Sequence, residues 1–443
     1  MNIQLSEHFT YSKLLRFTLP TIVMMIFTSI YSVVDGIFVS NFVGKTPFAA
    51  VNLIFPFVMI LGSVGFMIGT GGSAIVSKTM GEGANEKANR YFSMMVFTAI
   101  LGGIVLTIFG QLLTRPVAAL LGAEGEMLEY AVLYARVLLL ALTPFLLQNV
   151  FQSFLVTAER PQLGLALTVG AGVTNIVLDF LFIAVFQWGV AGAALATCIG
   201  QAVGGLVPLF YFIGPNNSPL RLVPARLELT PLRKACINGS SEMVSNLSTS
   251  LVSMLYNFQL MRMIGEDGVA AYGVIMYVNF IFIGVFLGYS LGIAPIVGFH
   301  YGAGHHSELQ NLFKKSIRLL GVSSVTMTAL AILCATPLAK IFVGYDAALL
   351  QLTSHGFCLY ALAFLVMGFN IFGSAFFTAL NNGVISAVIS FLRTLLFQIA
   401  AILILPVLLD IDGIWLAVVA AELAAAIVTV TFFIKERQQY HYW

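Results

Sequence analysis

Apolar residues in this chain fall in long unbroken runs, not in the alternating or three-and-four patterns of a half-buried surface. Clusters of glycine, proline and charge divide them into twelve stretches. These are roughly 14–42, 48–78, 91–114, 127–157, 162–187, 189–213, 233–263, 268–299, 311–335, 348–379, 383–408 and 412–434. Each reaches or approaches the roughly 20 residues that a helix needs to cross bilayer hydrocarbon. The short alternating segments of an outer-membrane barrel are missing. The pattern predicts an all-α membrane protein with twelve transmembrane helices.

Composition strengthens that expectation. Only 9% of the residues are charged and 59% are hydrophobic, where a soluble domain carries about 25% charge. Mean hydropathy is +0.96. A water-soluble chain of this kind would expose far too much apolar surface, which excludes soluble, disordered and nucleic-acid-binding classes. Cys198, Cys236, Cys334 and Cys358 are scattered without a CxxC pair and read as small buried hydrophobes. The first apolar run is long and is followed by many others, so it is not read as a cleavable signal. The expected location is the cytoplasmic (inner) membrane, with multiple passes.

Basic residues orient the spans. Lys13, Arg16, Lys78, Lys87, Arg90, Arg160, Arg221, Arg226, Arg233, Lys234, Lys314, Lys315, Arg318, Lys435 and Arg437 would lie on one face. Only Lys45, Arg115, Arg262 and Lys340 would lie on the other. Both termini are therefore expected in the cytoplasm. The longest polar connection, 214–232, carries Pro215, Pro219, Pro224 and Pro231 and reads as a linker between two halves.

The halves are repeats. A shift of 221 residues brings Gly44 onto Gly265, Ala49-Ala50 onto Ala270-Ala271, and Gly71 onto Gly292. It also superposes Gly81 and Gly83 on Gly302 and Gly304, Pro116 on Pro337, and Thr157-Ala158 on Thr378-Ala379. Six spans per half make the copies parallel, about an axis along the membrane normal. The expected division is an N-lobe (1–213), a cytoplasmic linker (214–232) and a C-lobe (233–443) around a central cleft. Such a paired architecture suits a secondary transporter.

Charge inside the membrane costs about 2.5–3.5 kcal/mol per group on insertion scales, so it marks functional candidates. Asp35, Asp179, Glu242 and Glu422 fall within spans, and Arg136 and Arg393 in or near them. Asn175 and Asp179 are four residues apart and share a helix face. If Asp35 converges with them, two carboxylates with Asn175 and Thr197 offer oxygen ligands to one hard monovalent cation. Pro20 frees a backbone carbonyl on the same span as Asp35 and is expected to act as a hinge. At the repeat offset Asp35 meets Tyr256 and Asp179 meets Ala400, so the acidic pair belongs to the N-half alone. In the C-half, Glu242 is expected to snorkel and pair with a nearby Arg or Lys. Glu422 is either a second cation site or the partner of Arg393. Tyr31, Tyr256, Asn257, Glu242, Arg393 and Gln398 are the expected cleft residues for substrate.

Other signals carry less. Gly69–Gly72 and the Gly81/Gly83 pair lack the lysine of a phosphate loop and read as close helix packing and turns. His300, His305 and His306 read as a solvated loop more readily than as metal ligands. No nucleophile–base set is present, so no enzyme activity is expected. No resident metal is expected beyond a Na+ at Asp35, Asn175, Asp179 and Thr197.

Taken together, the two six-span repeats, Pro20 and Asp35 on span one, Asn175-x-x-x-Asp179 on span five and GVAGAALATCIGQ (189–201) resemble the multidrug and toxic compound extrusion (MATE) family. Within that family they look most like the bacterial MepA-like branch. TAERPQLG (157–164) stands where the family has a Gly-rich turn ending in proline, and Ser241 replaces a proline expected early in span seven. The resemblance implies an antiporter coupled to H+ or Na+ that exports lipophilic cationic compounds by alternating access. It implies that Asp35, Asn175, Asp179 and Thr197 hold the coupling ion and that Pro20 is the bending point. It implies no cofactor. The expected partners are amphipathic, mostly cationic substrates and the bilayer, with the chain acting as a monomer. The alternative is a flippase for a lipid-linked saccharide or another amphipathic metabolite, which would want several basic groups in the cleft. An ion channel would need a selectivity ring from an oligomer.

Overall fold

Long apolar runs leave the backbone one way to satisfy its polar groups in lipid, which is to form helices. The computed structural model describes residues 3–443, the side chains of Ser40, Asn41 and Lys45 excepted. Lys45, assigned above to the face poor in basic residues, thus has a side chain outside the described residues. In chain order the helices are α1 (Tyr11–Phe42), α2 (Lys45–Gly81), α3 (Asn85–Leu120), α4 (Gly125–Leu140), α5 (Leu142–Thr157) and α6 (Pro161–Asp179). A π-helical turn (Phe180–Val185) extends α6 and is followed by α7 (Gly189–Ile213). The second half has α8 (Leu229–Met263), α9 (Glu266–Gly302), α10 (His306–Val343), α11 (Ala347–Ala361), α12 (Phe364–Ala379) and α13 (Gly383–Phe391). A second π-helical turn (Leu392–Leu396) leads into α14 (Phe397–Tyr440). Among the described residues there is no strand.

The repeat is visible in this order. Helix α2 begins at Lys45 and α9 at Glu266, a shift of 221; α6 begins at Pro161 and α13 at Gly383, a shift of 222. Each half contains one sharply bent pair, 57° between α4 and α5 and 51° between α11 and α12. Each half also has a π-helical turn after its sixth or thirteenth helix. Glycines with positive φ precede both α2 (Gly44, 111°) and α9 (Gly265, 88°), where a side chain would be strained.

Eight helical stretches among the described residues are long and apolar enough to cross a membrane, and the two bent pairs raise the count to ten. Reaching twelve takes in two more features. Helix α8 is too polar to pass on composition, because one face carries Glu242, Ser245, Asn246 and Thr249 into an internal cavity. Helix α14 reverses at Asp410 (φ 49°), and a Cβ on Gly413 would lie 2.2 Å from the Leu405 carbonyl oxygen. Such proximity across eight residues requires a hairpin, so two spans lie between Gly383 and Tyr440. Large apolar side chains cover the outside, with Leu333 75% and Val407 82% exposed. In water such a surface would aggregate; in lipid it is the solvated face.

The lobes meet through α2 against α8 and α1 against α9. Glycine makes the approach possible. A Cβ on Gly71 would lie 1.9 Å from the Ala235 oxygen, and one on Gly239 would lie 1.9 Å from the Met67 oxygen. Gly81 faces the Phe299 oxygen at 1.9 Å and Gly302 the Lys78 oxygen at 2.0 Å. On α1 the turn around Pro20 packs on Gly288 and Gly292, which lie against Thr18, Thr21 and Ile22. Helix α1 runs continuously through Pro20. All these contacts sit in the half of the molecule that carries both chain ends.

At that same end, residues 3–10 cross from one lobe to the other. The Leu5 amide donates to Glu159 Oε1 (2.7 Å) between α5 and α6. The Phe9 amide donates to Glu308 Oε1 (2.9 Å) on α10, and Leu5 and Phe9 are fully buried. His300, expected in a solvated loop, is only 2% exposed. It lies edge-on to Phe9 and Phe299, because the chain start covers it. The 214–228 segment is not a free tether either. Its Arg221 and Val223 amides donate to Asn89 Oδ1 and Ser93 Oγ of α3, each at 2.8 Å, and Leu220 is buried. The four cysteines are free and partly exposed, less buried than the sequence led us to expect.

Replacing Gly71 by valine should force α2 away from α8. Overpacking of this kind costs about 1–3 kcal/mol. Distance measurements between spin labels on the chain-end tips of α2 and α8 should then broaden to longer values. An unchanged distribution would show that the glycine contact does not hold the lobes together.

Candidate functional site

Two polar clusters interrupt the apolar interior. The first lies within the N-lobe, where α1, α4, α6 and α7 converge. Gly172 on α6 leaves room for Phe27 and Tyr31 of α1, and Gly200 on α7 lies against the backbone of Ala171 and the Asn175 side chain. These close approaches bring Asp35, Asn175, Asp179 and Thr197 together. Asn175 Nδ2 donates to Thr197 Oγ1 at 3.4 Å, and Thr197 Oγ1 donates to the Ala193 carbonyl at 3.1 Å. The Asp35 and Asp179 carboxyls approach closely enough that a proton on one can be accepted by the other. Asp179 is fully buried and Asn175 is 4% exposed.

What this cluster lacks is donors. Asp35 Oδ1, Asn175 Oδ1 and both Asp179 oxygens are buried and accept no hydrogen bond from any described group. An unsatisfied buried acceptor costs about 1–3 kcal/mol, and more when charged. A set of acceptors without donors is chemically a receptor for a small cation, either a proton or Na+. It holds too few anionic or soft ligands for a resident metal; no group of three His, Cys, Asp or Glu side chains occurs among the described residues.

Two tyrosines border the cluster. Tyr31, expected in the substrate cleft, lies against Gly172 and within electrostatic reach of Asp35. Tyr134 of α4 is 2% exposed and feels both Asp35 and Asp179. Sequence reasoning passed over Tyr134, since one tyrosine in AVLYARVLLL has no distinguishing signal.

The second cluster lies between the lobes, mostly on the C-lobe side, around a cavity of about 380 Å³. Glu242, Tyr256, Arg393, Gln398 and Glu422 line it, with Phe66, Asn149 and Gln152 from the N-lobe. Tyr256 stacks on Tyr272, centroids 4.7 Å apart, and its hydroxyl lies 3.5 Å from Gln398 Oε1. Asn257 is exposed and is not part of the cavity wall. Glu242 does not snorkel to a basic partner. It faces the cavity because its helix turns that side inward with Ser245 and Asn246.

Arg393 pairs with Glu422. Its Nε donates to Oε1 at 2.9 Å and to Oε2 at 3.1 Å, with Glu422 2% exposed. Asn370 Nδ2 donates to Glu422 Oε2 at 2.8 Å, and Thr429 Oγ1 donates to Asn370 Oδ1 at 3.0 Å. The pair is therefore held on both sides, as a buried ion pair requires. Arg136, by contrast, is exposed outside the cavity. Asp179 closes α6 just before the first π-helical turn, and Arg393 lies in the second. Such turns re-aim side chains and recur at functional sites.

Asp179→Asn should leave the fold intact and should raise its melting temperature by a few degrees in Na+-free buffer near pH 8, because a buried unpaired carboxylate is removed. The wild-type chain should gain stability on adding Na+ or on lowering the pH, and the variant should not. A variant that responds as the wild type does would remove the cation from this cluster.

Comparisons with known proteins agree with this architecture. The chain is 21% identical over 440 residues to the multidrug export protein MepA of Staphylococcus saprophyticus, covering 96% of this chain and 94% of that one. It is 24% identical to MepA of Staphylococcus haemolyticus, over 76% and 74% of the two chains. A crystal structure of a MATE protein in complex with MaL6 superposes with a TM-score of 0.91 at 24% identity, covering 98% and 97% of the chains. An outward-facing multidrug resistance MATE transporter superposes equally well, covering 98% and 96%. The sequence profile of the MatE family matches residues 20–181 and again 243–404, one match in each half. With both halves matched and the two-lobed helical fold in place, the chain belongs to the MatE family.

Proposed function

We propose that this protein is an antiporter, coupled to H+ or Na+, that exports lipophilic cationic compounds across the cytoplasmic membrane. The observation that carries the reading is the cluster of donor-free acceptors at Asp35, Asn175 and Asp179, beside an inter-lobe cavity that holds two carboxylates and one guanidinium. The MepA relatives are multidrug export proteins by name, which supports a drug-like substrate. In this reading, residues 1–213 form the N-lobe and 233–443 the C-lobe, joined by 214–232. Both termini face the cytoplasm, the chain acts as a monomer, and the bilayer is its only other partner.

The cycle follows from electrostatics and packing. Facing outward, the Asp35/Asp179 cluster takes up a cation and its mutual repulsion falls. Helix α1 then adjusts around Pro20, and the shift in its packing against α6 and α9 lowers the cavity's hold on substrate. Reopening toward the cytoplasm releases the ion. A membrane potential supplies about 2.3 kcal/mol per charge per 100 mV, enough for roughly fiftyfold accumulation by one ion. The cavity has Arg393 as its one basic group, already paired, which argues against the pyrophosphate of a lipid-linked sugar.

Purified protein in liposomes, given ethidium and either a pH or a Na+ gradient, tests this. Transport should follow one gradient and should fall by roughly a hundredfold in Asp179→Asn, as expected where one group carries the coupling ion. Gradient-driven export that survives in the variant would refute the coupling role. An absence of transport under both gradients would turn attention to lipid-linked substrates.

A further inference from the structure

Arg393 is only half used by its pairing. Glu422 takes the Nε side of the guanidinium, and the two Nη groups donate to no described residue. They are not sealed away either, since the side chain retains 12% exposure and lines the cavity. Glu422 has no capacity to spare, because Arg393 and Asn370 occupy it. Glu242 is the opposite case. Its carboxylate lines the same cavity, lies within electrostatic reach of Arg393, and forms no ion pair with it. Asn279 Oδ1 and Ser290 Oγ, also on the wall, are buried without partners. The stacked Tyr256–Tyr272 pair adds a flat aromatic wall.

We infer that this cavity is a two-ended receptor for aromatic zwitterions, in which Glu242 holds the ligand's cationic nitrogen and the Nη groups of Arg393 hold its carboxylate. The inference rests on the export reading above and narrows its substrate class. Glu422, Asn370 and Thr429 position the guanidinium from behind. Two carboxylates against one guanidinium leave the cavity one negative charge in excess, so simple cations also bind. A ligand carboxylate placed on Arg393 gains paired, charge-assisted hydrogen bonds that a simple cation cannot make. An anion lacking a cationic group would meet the excess negative charge and be rejected.

Rhodamine B and its ethyl ester make a matched pair, a zwitterion and a cation that differ at the carboxylate alone. Fluorescence polarisation with the full chain in nanodiscs, without any gradient, measures binding of each. Arg393→Gln alone would leave Glu422 buried and unpaired and could unfold the lobe. The decisive variant is therefore the double substitution Arg393→Gln/Glu422→Gln, which keeps the cavity's net charge. It should weaken rhodamine B by roughly tenfold or more, the loss expected for a paired charge-assisted contact, and leave the ester unchanged. Glu242→Gln should weaken both dyes. The inference is overturned if the double variant keeps its affinity for rhodamine B, if it loses both dyes alike, or if the wild type binds only the ester. Binding of the ester together with any of these results leaves the export reading standing. Binding of neither dye removes both.

Discussion

Where α2 meets α8 and α9, backbone touches backbone with no side chain between, and the rest of the molecule is arranged around that contact. Gly71, Gly81, Gly239 and Gly302 have no room for even one methyl group. In lipid there is little hydrophobic drive to hold helices together, so dispersion at close range has to do it. Packing so tight at one end lets the helices diverge toward the other. The space between them is the cavity lined by Glu242, Arg393 and Glu422.

Duplication produced the frame, and later divergence produced the chemistry. Both halves have a bent helix pair and a π-helical turn at matching places. Yet the N-lobe turn follows an acid without a donor, whereas the C-lobe turn contains a base that is already paired. One lobe gathers acceptors that call for something small and positive. The other has neutralised most of its charge and offers its remaining polarity to a larger guest. A symmetric scaffold can couple two different cargoes only if its two halves are chemically unlike.

Much of this was legible in the chain. The apolar runs gave the helices to within a few residues, because in lipid a helix must be about as long as the hydrocarbon is thick. The repeat and the convergence of Asp35 with Asp179 could be read from spacing and from the cost of intramembrane charge. The pairing of Arg393 with Glu422 could not, since it depends on the hairpin at Asp410 and on a π-helical turn that hydropathy does not register. Glu242 was misread for a related reason. Its distance from the helix start suggested a reach toward water, whereas its rotational position on α8 decides where it points. Tyr134 was invisible because burial beside two carboxylates is a property of three helices at once.

The segment at the chain start has a bearing on biogenesis. Residues 3–10 emerge from the ribosome first, but one of their partners, Glu308, lies on α10, deep in the second half. The Phe9 amide and the buried ring behind it therefore have no native partner while the first six spans are being inserted. The segment must wait at the membrane surface until α10 is made, and its docking then closes the order in which the lobes assemble.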